Sequence, residues 1–448
     1  MMAAHLVHPG ENDTALHVDE EPGQARSGSA NQDVLPVWLR VQEISLARHA
    51  AALRPFRMGE FGETAASPSE AHRQAANQLI ESLRKSLFKA SRNLKQTGAS
   101  AAEDSSFPNL ARFTGSRDRG HGWVDATERV WSFYYDLFNQ RQSAIGKLLL
   151  ACDRIGIDCY QAVYTGLGEA RSIPSPPPFS YMDVHLSPAT FRRGISMAKL
   201  GRHANPFPLV KLPYHRLVNP WTLGAISHEV AHNLQSDLGL WERIRKKVYK
   251  RLIQDGFEPS VAKVWARWHK EIFADLCGLL LSGPAFVGSL MDVVGRSPLH
   301  TLLFDAQGVH PTPYLRVFLN LDLLRRMGFQ DEAADYERAW NRLYPSKLAS
   351  MIPAPMRNTF KDASRQVVKT ICFTPYSELG GKSLAEVTMF RPKDQAMVEE
   401  AAGRLASGTD PGIIPERFLI GAARWAVDRK LARPGVIARN FYESLGRR

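Results

Sequence analysis

Cysteine is scarce in this chain. Four are present among 448 residues, Cys152, Cys159, Cys277 and Cys372, and no two stand at the Cys-x-x-Cys spacing of a thiolate metal knuckle or a redox pair. That excludes a disulfide-stapled secreted scaffold, and mostly apolar flanks predict reduced thiols in a core. Long apolar runs are missing too. The best of them, Cys277 to Met291, is interrupted by Gly, Ser and Pro and ends at Asp292, whereas a bilayer span needs about 20 apolar residues. Met1 to Pro9 has neither the basic opening nor the apolar stretch of a secretory signal. The expectation is a protein without a transmembrane segment, working in the cytoplasm. A nucleotide phosphate loop is also lacking: Gly380-Gly-Lys-Ser383 shares its last residues, but Tyr376 stands where that loop needs glycine.

Negative charge is the other shortfall. Lys and Arg number 57 against 45 Asp and Glu, for a net +12. Residues 1–34 run the other way, with six acids and one arginine, so a tail of −5 leaves +17 on the remainder. This acidic tail is rich in Gly, Ser, Asn and Gln, cannot easily bury a core and is expected to be disordered. The densest basic cluster is Arg243, Arg245, Lys246, Lys247, Lys250 and Arg251, interleaved with Ile244, Val248 and Leu252 as an amphipathic helix. Such a face is a candidate dock for an anionic partner, whether acidic substrate, nucleic acid or an anionic membrane surface. No recognised nucleic-acid module accompanies it, so nucleic acid stays an open partner class.

Apolar periodicity predicts a mainly helical protein with a minor α+β element. Helical spacing covers Val37–Leu53 and Ala71–Leu94, then a Gly, Ala, Ser and acid-rich connection over Thr97–Pro108. Val130–Leu167 reads as one longer helical stretch, and Ile173-Pro-Ser-Pro-Pro-Pro-Phe179 as a stiff linker. Helices recur at Glu332–Leu343, Gln395–Leu405 and Pro415–Lys430. The division this suggests is an acidic tail (1–34), a helical N-terminal region (35–175), a catalytic core (176–330) and a helical C-terminal region (331–448). Pro206-Phe-Pro-Leu-Val-Lys-Leu-Pro213 is extended and bounded by prolines, which predicts an edge strand.

The chemistry is concentrated in His228-Glu229-Val230-Ala231-His232. Residues four apart share a helical face, so both imidazoles can turn to one metal ion while Glu229 reaches the water that the metal activates. Ile226, Val230 and Leu234 lie about 200° away and form the core face. Pro220 near the start and Gly239 after Leu238 mark the ends. His121, His203 and His215 stand alone and read as ordinary surface or core histidines.

Two histidines need a third protein ligand, because a hydrolytic zinc site typically has three and one open position. Glu271 is the candidate. It lies on a segment whose Val261, Val264, Trp265, Trp268, Ile272 and Leu276 form a helical stripe, and Glu271, Ala274, Asp275 and Gly278 make a second face beside that stripe. The small residues on that face should let the two helix backbones approach, bringing Glu271 to the metal. Asp275, one turn on, can accept the free N–H of a ligating His.

With HExxH and a downstream Glu271-Ile-Phe-Ala-Asp275, the chain resembles the gluzincins, the thermolysin-like zinc peptidases. A further element, His310-Pro311-Thr-Pro-Tyr314-Leu-Arg316, is similar to one found after the Glu helix in the heat-shock membrane protease and CAAX prenyl endopeptidase family. Those enzymes carry long transmembrane helices and this chain has none of sufficient length, so it resembles a soluble relative, over residues 205–330. The resemblance implies a zincin-like core, one Zn²⁺ per chain held by His228, His232 and Glu271, and a peptide or protein substrate. It also implies that Leu209 to Leu212 pair with the substrate backbone.

The expected reaction is peptide hydrolysis, with Glu229 as general base. Asp275 would orient His228. His310, Tyr314 and Arg316 are the candidate donors to the developing oxyanion. Two other readings stay open on the residues alone: a catalytically silent zinc protein that binds an anionic partner through its basic surface, and a protease that acts only on nucleic-acid-bound complexes.

Overall fold

The computed structural model describes residues 33–168 and 172–448. The expected disordered tail lies, up to residue 32, outside the described residues; Asp33 and Val34 belong to the first helix, whose N-terminus the Asp33 carboxylate caps at Leu35 N–H. The chain is mainly helical, with one small three-stranded sheet.

Three long helices, Val34–Ala52, Glu70–Glu103 and Phe107–Asn139, open the fold and enclose a small core of their own around Leu39, Leu46, Leu87, Leu94 and Phe113. The second runs through most of the expected connection, because helix-compatible Ala and Glu outnumber the breakers until Asp104-Ser-Ser106. The expected single stretch over Val130–Leu167 is two helices, broken at Gln140–Ile145 before Gly146–Leu167. A Cβ on Gly146 would collide with the Arg141 carbonyl at 2.2 Å, so only glycine allows the turn there. Gly146–Leu167 then enters the main core, where its Leu149, Ile155 and Val163 join residues from Val210 through Leu445. Two helices with no expectation attached, Ala354–Cys372 and Pro434–Arg447, complete that core.

The proline-rich stretch before the sheet is tied down. Arg193 donates to the carbonyls of Ser175, Pro176 and Pro206, and the His72 ring meets the Pro177 carbonyl at 2.9 Å.

The sheet corrects the expected edge strand. Its strands are β1 (Phe179–Met182), β2 (Ala189–Phe191) and β3 (Leu209–Leu212), in the order β1-β3-β2. β3 is central, parallel to β1 and antiparallel to β2, so its backbone groups are engaged on both sides. The flanking prolines misled because they lie just outside the ladder, and Pro208 even contributes its carbonyl to Phe179 N–H. The edge beside the histidines belongs to β2.

The histidine helix, Ala225–Asp237, buries Ile226, Val230 and Leu234 completely. Each contributes about 2 kcal/mol by leaving water, which fixes the rotation of the helix and turns the opposite face outward. Its chain exits through Gly239 at φ +69°, a conformation glycine adopts without strain. The glutamate helix, Pro259–Ser282, packs alongside, with Ser227 and Ser282 hydroxyls 2.6 Å apart between them. Gly278 does not serve this approach as expected. A Cβ there would meet the ring of Phe286 at 2.4 Å, so its small size makes room for the next helix, Ala285–Val294.

Candidate metal centre

The two helices bring three side chains that can hold a metal ion to one point. The Nε2 atoms of His228 and His232 lie 3.2 Å apart, with the rings nearly perpendicular at 89°. Glu271 offers Oε2 at 3.5 Å from His228 Nε2 and Oε1 at 3.6 Å from His232 Nε2. The donor atoms all fall within 4.8 Å of one another, a spacing at which a single metal ion can be held. Nδ1 of His228 faces Asp275 Oδ1 at 2.8 Å, which places a proton on Nδ1 and leaves Nε2 as the nitrogen that would face a metal ion.

Charge favours a cation here. Glu229, Glu271 and Asp275 are buried carboxylates, and the largely buried Arg316 is set against them, a surplus of two negative charges when all are ionised and His228 has given up its second proton. A divalent ion would neutralise that surplus, so the donor set and its charge both fit one. Burial pushes Glu229 up to about 7, opposed by His228 and reinforced by Glu271. With no metal bound, burial works against the charged form of His228, yet Asp275 and Glu271 outweigh it and lift the imidazole to about 10, so a metal ion at Nε2 would take the place of a proton there. Burial would likewise raise Glu271, but the two histidines hold it well below the ordinary carboxylate range.

Behind these three side chains is a bracing layer. Arg316 donates from Nε and an Nη to the two oxygens of Asp275 at 2.8 and 2.7 Å, a bidentate pair, and lies 3.9 Å from Glu271. Of the three residues expected as oxyanion donors, Arg316 is thus spent mainly on Asp275. His310 stands at the exposed rim with Nε2 3.5 Å from Glu271. Tyr314 is not brought into the site. On the helix Pro313–Arg326 it lies two positions from Arg316, about 200° around, and it lines a different cavity with Phe318, Asp322 and Phe360.

The site opens into a pocket of about 380 Å³ lined by His228, Glu229, His232, Glu271, His310 and Arg316 together with residues that sequence reasoning missed. Ala189 and Thr190 come from the β2 edge. Thr190 is fixed by Asn233, which follows the second histidine and donates to the Thr190 hydroxyl at 2.8 Å and to the Glu229 carbonyl at 3.1 Å. Its place next to the motif was the only signal. Arg192, Trp241, Lys270, Phe286, Leu290 and Val293 complete the wall.

The basic helix, Trp241–Gln254, buries Ile244, Val248 and Leu252 as expected, but part of its charge is used internally. Arg243 pairs with Glu378 at 2.6 Å, Arg251 with Asp255 at 2.8 Å, and Lys247 donates to the Pro375 carbonyl while lying 4.1 Å from the Tyr376 ring. Lys246 and Lys250 remain exposed. All four cysteines are buried and unpaired. Among the described residues no helix is long and apolar enough to cross a membrane. Comparison of the chain with protein-family models, with curated proteins and with solved structures finds no match.

Proposed function

We propose that this chain is a zinc-dependent peptidase of gluzincin type, with His228, His232 and Glu271 as the metal ligands. The observation that carries the reading is the convergence of these three side chains on one point, with Glu229 buried beside them and facing the same pocket. Bound there, zinc supplies a Lewis acid that polarises the peptide carbonyl and acidifies water. Glu229 takes the proton of the attacking water and passes it to the leaving amine, work suited to a carboxyl that burial has moved towards neutrality. Asp275 fixes the ring of His228, and Arg316 fixes Asp275. His310 at the rim is the donor within reach of a developing oxyanion.

The β2 edge supports a zincin-like arrangement of strand and metal helix. Asn233 ties Thr190 to the histidine helix, so a peptide adding to the free side of Ala189–Phe191 runs past the ligands. This role moves from Leu209–Leu212, which is enclosed. The buried, unpaired thiols suit a reducing compartment such as the cytoplasm.

Metal analysis together with cleavage of an unstructured protein such as casein tests the reading. The expected result is one zinc per chain and measurable turnover. Glu229→Gln keeps the zinc and loses at least about 100-fold in rate, the usual cost of removing a general base. A wild type that takes up no zinc, or a Glu229→Gln variant of near-normal activity, overturns it.

A further inference from the structure

The pocket is not uniform along its length. The histidine helix contributes Ala225, His228, Glu229 and His232 to its floor, a distance of about 10 Å at 1.5 Å per residue. At the Ala225 end the wall is apolar, built from Phe286, Leu290 and Val293 of the helix Ala285–Val294. Ser289 of that helix hydrogen-bonds to the Trp221 carbonyl, which seats this wall against the start of the histidine helix. At the other end, past His232, the chain turns at Gly239 into Trp241, and here the wall is cationic. The guanidinium of Arg192 lies 4.3 Å from the Trp241 ring centroid, and Lys270 Nζ lies 5.9 Å from the same ring.

These two cations differ from those of the basic helix. Arg243 and Arg251 have carboxylate partners, but among the described residues neither Arg192 nor Lys270 has one. Both are half-buried and line the pocket. Stacking on Trp241 holds the Arg192 plane and leaves its N–H edge free for a bidentate anion. Arg192 also directly follows the β2 edge, so a backbone laid along Ala189–Phe191 is delivered to it.

We infer that the site selects peptides carrying an apolar side chain at one end of the pocket and a carboxylate at the other, the carboxylate being received by Arg192 and Lys270. An extended peptide covers the span of about 10 Å from Ala225 to His232 in about three residues. The carboxylate can be an Asp or Glu side chain or a free C-terminus, which are distinct substrates of the same chemistry. The inference rests on the peptidase reading, and it is tested first by binding, which does not depend on turnover.

Labelled eight-residue peptides are titrated against zinc-loaded Glu229→Gln protein and followed by fluorescence anisotropy. Each holds one Leu and, two or three residues away in either direction, Glu, Gln or Lys, with an amidated end. A second set ends at that position as acid or amide. The Glu peptide is expected to bind about tenfold more tightly than the Gln peptide, with Lys weaker still, the scale of one charge-assisted hydrogen-bonding contact. A preference confined to the acid-ended set identifies the C-terminus as the source. Arg192→Glu and Lys270→Glu, each checked for zinc content, should invert the Glu-to-Lys ratio, and Arg192→Glu decides the matter if the change beside Glu271 costs metal. Equal binding of Glu, Gln and Lys peptides by protein whose wild type cleaves them overturns the inference and spares the peptidase reading. Selective binding of acidic peptides that the zinc-loaded wild type never cleaves does the reverse.

Discussion

Glu271 and Asp275 lie one turn apart on one helix, carry the same functional group and are both buried, yet they work in different surroundings. Glu271 faces forward, between two imidazoles and an open pocket, with Arg316 no nearer than 3.9 Å. Asp275 faces back, saturated by the Arg316 fork and by His228 Nδ1. The forward carboxylate retains electron pairs for a ligand; the rear one has used its own on holding a ring and a helix in place. Position on the helix thus separates a carboxylate open to the pocket from one engaged in bracing, although the chemistry of the two side chains is nearly identical.

If zinc binds as proposed, the sharpest way to break this comparison is to remove its ligands from the forward layer. His228→Ala, His232→Ala and Glu271→Ala each leave two protein donors, too few to hold zinc firmly, so metal content after dialysis should fall from one per chain to near zero. The same loss should appear as stability. A ligand bound by the folded state alone at a hundred times its Kd stabilises by about 2.7 kcal/mol, so chelation should lower the melting temperature of the wild type and hardly move that of the three variants. Full zinc occupancy in Glu271→Ala would mean that the third ligand lies elsewhere.

Changes in the rear layer should cost less metal and more fold. Asp275→Asn removes the partner of His228 and should weaken zinc affinity or activity about 10- to 100-fold. Arg316→Met leaves Asp275 buried without its counter-ion, at a cost of about 3–5 kcal/mol of stability. The double variant, in which both charges are gone, should recover much of that stability without recovering zinc affinity. If it instead binds zinc like the wild type, Asp275 and Arg316 are a structural ion pair with no part in orienting the ligand.

Much of the forward layer was legible in sequence because it depends on short-range geometry. Four-residue spacing puts His228 and His232 on one face, the Ile226, Val230, Leu234 stripe fixes which way that face turns, and Glu271 precedes Asp275 by one turn. The sheet was not legible, since pairing Phe179–Met182 with Leu209–Leu212 across a long intervening segment leaves no periodic trace. The proline pattern even pointed the wrong way, marking the ends of a central strand as if they marked an edge. Arg192, Trp241 and Lys270 are far apart in sequence and meet only through packing, so their shared role has no linear signature. Gly278 was read as serving the nearer helix when its space belongs to Phe286.

The smallest expected effect concerns Tyr314, where helical phase decides between two residues that the sequence offered alike. Arg316 is held in the site by Asp275, and side chains two positions apart on a helix point about 200° from each other. The Tyr314 ring accordingly packs 4.9 Å from Phe318 and lines the cavity with Asp322 and Phe360, away from the pocket of His228, His232 and Glu271. Its hydroxyl can reach the oxyanion only if the whole helix turns, which the Arg316 fork opposes. Tyr314→Phe should therefore leave zinc content unchanged and turnover within about twofold of wild type, the spread of a substitution that touches no special feature. Steady-state kinetics on one of the labelled peptides reads this directly. A tenfold fall in kcat with zinc retained would restore Tyr314 as a donor and show that the working enzyme rotates this helix relative to the geometry described.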